Sequence, residues 1–186
     1  MDNFARIVIG YHGCTIELAS RLISGELAIS AWPHSENAYD WLGHGVYFWE
    51  YGPQRAREWS VQNGRDGGVV GAYIQLGKCL DLTDTRYTAF LAEAYDSVRE
   101  MYAAQKLPLP VNKQKRNELD CLVINEVTDL YGDGDEEAER FQTVRCPFLE
   151  GKPAFEGSMI QRQSHIQVTV IDSDCILGVF RSNLDP

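Results

Sequence analysis

The chain has 186 residues, of which 44% are hydrophobic and 24% charged, a composition that excludes a wholly disordered or fibrous protein. Its length fits one domain with a sizeable core, so we treat residues 1–186 as a single unit. The net charge of −10, from 17 basic and 27 acidic residues, disfavours a nucleic-acid partner unless basic residues cluster on one face.

The cysteines and the start of the chain indicate a compartment. Five cysteines are scattered singly without a C-x-x-C pair, and the start MDNFARIV has no features of a secretion signal. No apolar run approaches the roughly eighteen residues that a membrane span requires. We therefore expect a cytoplasmic protein with reduced thiols and no membrane partner.

Hydrophobic spacing predicts an α+β domain. A strand over residues 4–10 precedes a helix with Thr15 as its N-cap and Gly25 as its end. Further strands are predicted over residues 26–30, 45–49, 69–76, 141–149, 165–172 and 176–181, and further helices over 52–62, 86–105 and 117–130. The acidic stretch 133–137 lacks the ligand spacing of a calcium loop and fits a solvated turn better.

The most distinctive stretch is YDWLGHGVYFWEY, residues 39–51. It carries seven aromatic side chains, counting the imidazole of His44, around Gly43 and Gly45. By itself it fits a loop that leads into a buried strand. Strand alternation turns Tyr47 to one face and its neighbours Val46 and Phe48 to the other, toward the core.

Two simpler chemistries fit the sequence poorly. His12, Cys14, His34 and His44 lie within a span of 33 residues, but their spacing matches none of the usual zinc patterns. Cys14 lies next to His12 in sequence, whereas catalytic Cys and His residues are normally distant in sequence. We therefore predict no metal and no thiol nucleophile.

Three motifs in order point to a known family. They are YHGC at residues 11–14, GHGVYF at 43–48 followed by an alanine-bearing helix, and QVTVID at 167–172. This arrangement resembles the catalytic part of the ADP-ribosyltransferases of the H-Y-E type, which include diphtheria toxin and the poly(ADP-ribose) polymerases. The resemblance implies an ADP-ribosyltransferase-like split β-sheet with flanking helices and NAD as a substrate.

The resemblance also implies roles for particular residues. His12 would bond a ribose hydroxyl, the Gly13 backbone would hold the nicotinamide carboxamide, and Tyr47 would stack on the nicotinamide ring with Trp59 opposite. The implied catalytic residues are His12, Tyr47 and Gln167, and the implied NAD-binding residues are His12, Gly13, Asn37, Gly45, Tyr47, Phe48 and Trp59. Ordinary structural roles stay open. These are hydrogen bonding to the local backbone for His12, core packing for Tyr47 and Trp59, and a turn for Asn37.

The third catalytic position departs from the family pattern. The family places Glu where this chain has Gln167, and an amide can bond a ribose hydroxyl but cannot act as a carboxylate. Single transfer or an inactive site is therefore expected rather than polymer elongation. Glu150 or Glu156 could supply a carboxylate, and by alternation His165 shares the strand face of Gln167 and could serve as a base.

The function implied by the resemblance is that of an NAD-dependent mono-ADP-ribosyltransferase. It would act inside bacteria as the toxin of a toxin–antitoxin or phage-defence system, with a protein or nucleic-acid acceptor and an antitoxin protein as a candidate partner. Two alternatives stay open. One is a non-catalytic NAD- or partner-binding module of the same fold, and the other is an RNA 2′-phosphotransferase-like enzyme.

Overall fold

The computed structural model describes residues 6–114, 116–130 and 140–184. These residues form a mixed α/β fold with seven strands and four α-helices. The strands are β1 (Ile7–Cys14), β2 (Val46–Glu50), β3 (Gly68–Gln75), β4 (Cys79–Asp81), β5 (Thr143–Phe148), β6 (His165–Val170) and β7 (Ile176–Arg181). The helices are α1 (Ile16–Ser24), α2 (Pro53–Gln62), α3 (Thr85–Ala104) and α4 (Glu118–Leu130).

All four helices follow the predicted pattern. At the start of α1 the Thr15 side chain accepts a hydrogen bond from the backbone N–H of Leu18 at 3.1 Å, and Gly25 ends the helix at φ 78°. The predicted start and end of α1 are therefore confirmed. In the described ranges, each helix is too short or too polar to cross the apolar interior of a bilayer.

Three predicted strand features need correction. The strand predicted over residues 26–30 is wrong, because the N–H groups of Ala31 and Trp32 donate to carbonyls three residues back and form the 3-10 turn Ile29–Ala31. The first strand ends at Cys14 rather than at residue 10, so His12 lies inside it. The short strand β4 is absent from the prediction. The acidic stretch 133–137 lies outside the described residues.

The seven strands form one sheet in the order β4-β5-β6-β2-β1-β3-β7. Neighbouring strands are antiparallel except for β4 and β5, which are parallel. The first and third predicted motifs therefore come within one sheet, with β2 between β1 and β6. This proximity brings the three motifs to the same region of the molecule.

Each face of the sheet carries its own hydrophobic core. The first face buries Val8, Val46, Phe48, Val70 and Val168 with α1 and Trp32 packed over them. The second face buries Leu80 and Val144 beneath α3 and α4. Helix α2 lies on the second face against β1, where Ala56 packs on Gly13.

A network of buried charges joins the strands β4, β5 and β2. The guanidinium of Arg145 donates to both carboxylate oxygens of Glu50, at 2.6 and 3.0 Å, and to Asp81 at 3.2 Å. Arg6 forms a further ion pair with Asp81. The side chains of Arg145, Glu50 and Asp81 are only 11%, 8% and 5% exposed, so each charge depends on its partners.

Candidate functional site

The strands β1 and β2 separate at the residues that carry the first two motifs. Within the described chain they pair at Gly10 with Glu50 and at Tyr11 with Trp49. On its other side β2 pairs with β6 over the longer range from Val46 to Trp49. The sheet therefore opens between the two strands just beyond Tyr11.

Gly13 lies on the edge of this opening. Tyr51 donates its N–H to the carbonyl of Ile9, so the odd-numbered residues of β1 direct their backbone groups toward β2. By this alternation the N–H and C=O of Gly13 face the opening. Their binding of a carboxamide stays a prediction of the resemblance.

Helix packing explains the absence of a side chain at Gly13. A Cβ atom there would lie 2.1 Å from the carbonyl oxygen of Ala56 in α2. Helix α2 packs directly on the strand, so glycine is required by helix packing rather than by the approach of a ligand. Helix packing restricts the Cα of Gly13, whereas the opening is lined by its N–H and C=O groups.

His12 lies on the first face of the sheet. Its ring contacts Trp32 and Phe48, with centroid separations of 5.2 and 5.8 Å. Its Nδ1 lies 2.8 Å from the carbonyl oxygen of Tyr47, so it bridges the opening between β1 and β2. Burial lowers the pKa of His12 to about 4, against the opposing effect of this hydrogen bond. The ring is therefore neutral at pH 7, with Nδ1–H as the donor and Nε2 as an acceptor.

The lowered pKa of His12 predicts a pH dependence of stability. The unfolded chain binds a proton at His12 below about pH 6.5 and the folded chain does not, so the free energy of unfolding falls as the pH drops from 6.5 to 4. We expect His12→Asn to remove at most about 3 kcal/mol of this dependence. Urea unfolding at a series of pH values measures it. His165, whose pKa burial also lowers, contributes to the same dependence, and an unchanged slope in His12→Asn would contradict the assignment.

Tyr47 faces the second side of the sheet, as alternation predicts. Its hydroxyl donates to the carbonyl of Gly43 at 2.6 Å and accepts from the N–H of Leu42 at 2.8 Å. Burial raises its pKa, so the phenol stays un-ionised. The hydroxyl thus holds the glycine turn, in which Gly43 has φ 75° and Gly45 has φ 147°. The ring of Tyr47 is half-buried and packs against the second core.

Gln167 lies on the same face as Tyr47. In the β2–β6 register Trp49 is opposite Gln167 and Tyr47 is opposite Thr169, so Tyr47 and Gln167 are diagonal neighbours. Gln167 is 7% exposed, and its Oε1 has no hydrogen-bond partner among the described residues. The structure thus brings Tyr47 and Gln167 to one face, whereas the His12 ring lies on the other.

Two residues that the sequence analysis did not select complete this region. Arg55 in α2 donates from Nη2 to Glu150 at 2.7 Å, and its guanidinium lies 5.8 Å from the Trp49 ring. Trp49 also contacts the rings of Trp59, at 5.5 Å, and His165, at 6.3 Å. We call Trp49, Arg55, Glu150, His165 and Gln167 the polar cluster. Arg55 and Trp49 could have been found only from their place beside the second motif.

The polar cluster holds an unusual share of unpaired buried atoms. Seven buried side-chain N or O atoms have no hydrogen-bond partner among the described residues, and five belong to the cluster. They are Trp49 Nε1, Arg55 Nε and Nη1, His165 Nε2 and Gln167 Oε1. Buried polar groups are nearly always paired, so this concentration of unpaired ones makes the polar cluster the candidate site.

The remaining predicted residues have structural roles. Asn37 is exposed and bonds Ser35 and Asp40 in a turn. A Cβ at Gly45 would lie 2.6 Å from the carbonyl oxygen of Val170, so glycine is needed for strand packing. Phe48 is fully buried behind His12, which corrects its assignment as an NAD-binding side chain. Trp59 is half-buried, between Trp49 and the guanidinium of Arg65.

The residues considered as zinc ligands are dispersed. Cys14 is buried in the first core, whereas His34 and His44 are exposed. Over the ranges that the structure describes, no three His, Cys, Asp or Glu side chains come together in a geometry that could hold a metal ion.

The fold and the site define a mixed α/β protein with an opened sheet and a polar cluster beside the opening. No protein-family model, curated protein or solved structure matches the chain. The proposals below therefore depend on the geometry and on the motif resemblance.

Proposed function

We propose that the protein is an NAD-dependent mono-ADP-ribosyltransferase. The observation that carries the proposal is the opening between β1 and β2. The Gly13 peptide edge lies on this opening, and Tyr47 and Gln167 share one sheet face beside it. The shared face of Tyr47 and Gln167 supports binding of the nicotinamide riboside half of NAD there, whereas the His12 ring lies on the other face.

The chemistry of the site fits this reaction. Cleavage of the bond between nicotinamide and ribose converts a cationic ring into a neutral leaving group and leaves an oxocarbenium-like sugar, as in glycoside hydrolysis. The free Gln167 Oε1 is an acceptor for a ribose hydroxyl. His12, on the other face of the sheet, is bonded through Nδ1 to the Tyr47 carbonyl and so helps to fix the edge of the opening.

Purified full-length protein incubated with NAD labelled in the nicotinamide and adenine moieties tests the proposal. We expect release of nicotinamide and transfer of adenine label to a component of a bacterial extract. We expect Tyr47→Ala to abolish both, whereas an exposed control, Tyr51→Ala, retains them. Urea unfolding of each variant separates loss of the site from loss of the fold. Binding of NAD by the wild-type protein without nicotinamide release would refute the transferase.

The same variants test a role as a bacterial toxin with an antitoxin partner. Expression in a bacterial host should inhibit growth, and Tyr47→Ala or His12→Ala should relieve the inhibition. Growth inhibition that is unchanged by both substitutions would mean that the toxic surface lies elsewhere.

A second candidate is a non-catalytic module that binds NAD or a partner protein. Two observations favour it: residue 167 is an amide rather than a carboxylate, and the Tyr47 hydroxyl is engaged by two backbone groups. Such a module would bind NAD in calorimetry without consuming it. An RNA 2′-phosphotransferase is a weaker candidate, because Tyr47 and Gln167 are uncharged where phosphate recognition would favour Arg or His.

A further inference from the structure

We infer that His165 is the base that deprotonates the acceptor, and that the acceptor is a neutral hydroxyl group. This inference rests on the proposed transferase function and names the acceptor class of the same site. It follows from the position and the pairing of the His165 ring within the polar cluster.

The hydrogen bonding of His165 leaves one nitrogen available as a base. Its Nδ1 lies 2.6 Å from the carbonyl oxygen of Gln163, which can only accept, so Nδ1 carries the proton. The side chain is 5% exposed, and Nε2 has no partner among the described residues. A buried, unprotonated and unpaired imidazole nitrogen is suited to accept a proton.

The position of His165 places its ring beside Gln167, the residue expected to hold the ribose. His165 and Gln167 are two residues apart on β6 and face the same side of the sheet. The His165 ring is stacked at 5.7 Å on Phe148 and lies 6.3 Å from Trp49, the residue opposite Gln167. The base thus lies next to the amide that is expected to hold the ribose.

The charges around His165 favour a neutral acceptor. Glu150 Oε2 lies 3.7 Å from Nδ1, and the same oxygen accepts from Arg55. Because Arg55 engages Glu150, this carboxylate is not free to hold an arginine or lysine side chain. A carboxylate acceptor has no proton to lose at neutral pH and does not need a base. A hydroxyl group needs one.

The proposed step transfers ADP-ribose from NAD to the hydroxyl oxygen of the acceptor. The C1′–N1 bond of NAD breaks, and its electron pair leaves with neutral nicotinamide. The hydroxyl oxygen forms the new bond to C1′, and its proton passes to His165 Nε2. The resulting imidazolium is favoured by Glu150 at 3.7 Å, opposed by Arg55, and returns its proton to water.

Nicotinamide release and product mass, measured with methanol as the acceptor, test the inference. The wild-type protein should form methyl ADP-riboside, and agmatine, a guanidine, should give no adduct. We expect His165→Gln to lower methanolysis and hydrolysis by about 100-fold or more while retaining NAD binding. Azide, an anion without a proton to lose, should restore nicotinamide release in His165→Gln.

The controls separate the outcomes. His34→Gln removes an exposed histidine and should leave all rates unchanged. Burial holds the pKa of His165 below its ordinary value, so in the wild type release with methanol should fall in acid, once the pH drops through that lowered pKa and His165 becomes protonated. Release with azide in His165→Gln should lack this decline. Methanolysis by His165→Gln within a few-fold of wild type, or an agmatine adduct, would overturn the inference alone. Absence of nicotinamide release from wild-type protein with every nucleophile would refute the transferase itself.

Discussion

Replacing Arg145 by methionine is expected to lower the free energy of unfolding by about 3–5 kcal/mol. The substitution retains much of the side-chain volume but leaves Glu50 without its bidentate partner and Asp81 with only Arg6 and Thr83. Both carboxylates are more than nine-tenths buried, so water cannot replace the lost guanidinium. Urea unfolding at pH 7 measures the change.

A matched control distinguishes burial from simple charge loss. Arg99 pairs with Asp96 on the surface of α3, with side chains 53% and 60% exposed. Arg99→Met should therefore cost far less than Arg145→Met. Equal losses of unfolding free energy in the two variants would mean that the stability contributed by Arg145 with Glu50 and Asp81 does not depend on burial.

Acid should reduce the deficit of the Arg145 variant. Burial acts to raise the pKa of Asp81, but hydrogen bonds from Arg6 and Thr83 and the charge of Arg145 outweigh it and hold the pKa below its usual value. The stability that Asp81 contributes is present above about pH 4 and is lost as the pH falls through the folded pKa. Because Arg145→Met has already lost part of it, the two proteins should approach each other in stability below pH 4.

Gln167→Ala is expected to lower nicotinamide release by about 100-fold or more. The substitution removes the buried Oε1 that is free to accept from a ribose hydroxyl, and the neighbouring Trp49 and His165 stay in place. Gln105→Ala, at the exposed end of α3, is the matched control and should have no effect. Steady-state rates of nicotinamide release measure both variants.

Gln167→Glu tests the same position in the opposite direction. A carboxylate has the same shape and retains an acceptor oxygen, so we expect nicotinamide release to persist. Loss of release in Gln167→Glu together with full release in Gln167→Ala would show that the ribose is not held at position 167.

The sequence predicts the helices and most strands because their signals are local. Thr15 and Gly25 delimit α1 through bonds within a few residues, and the alternation of Val46, Tyr47 and Phe48 is a property of the strand itself. By contrast, β4 is three residues long and fully buried, so it shows no alternation. It exists because Cys79–Asp81 pairs with β5, more than sixty residues later in the chain.

In the candidate site, too, residues with local signals could be predicted and those joined only by tertiary contacts could not. Tyr47, Gln167 and His165 follow from motif order and strand alternation. The pairing of Arg55 with Glu150 joins residues 95 apart in sequence, so spacing alone could not have indicated it. The register of β2 on β6, which places Trp49 rather than Tyr47 opposite Gln167, is likewise a tertiary property.

The contact between Gly13 and Ala56 changes what the His-Gly pair signifies. The glycine brings the backbone of α2 against β1, and α2 carries both Arg55 and Trp59. A Gly13→Ala substitution would therefore displace helix α2, with Arg55 and Trp59, rather than only add one methyl group to the site. In this chain the His-Gly pair therefore marks a helix–strand contact, whether or not the site beside it is catalytic.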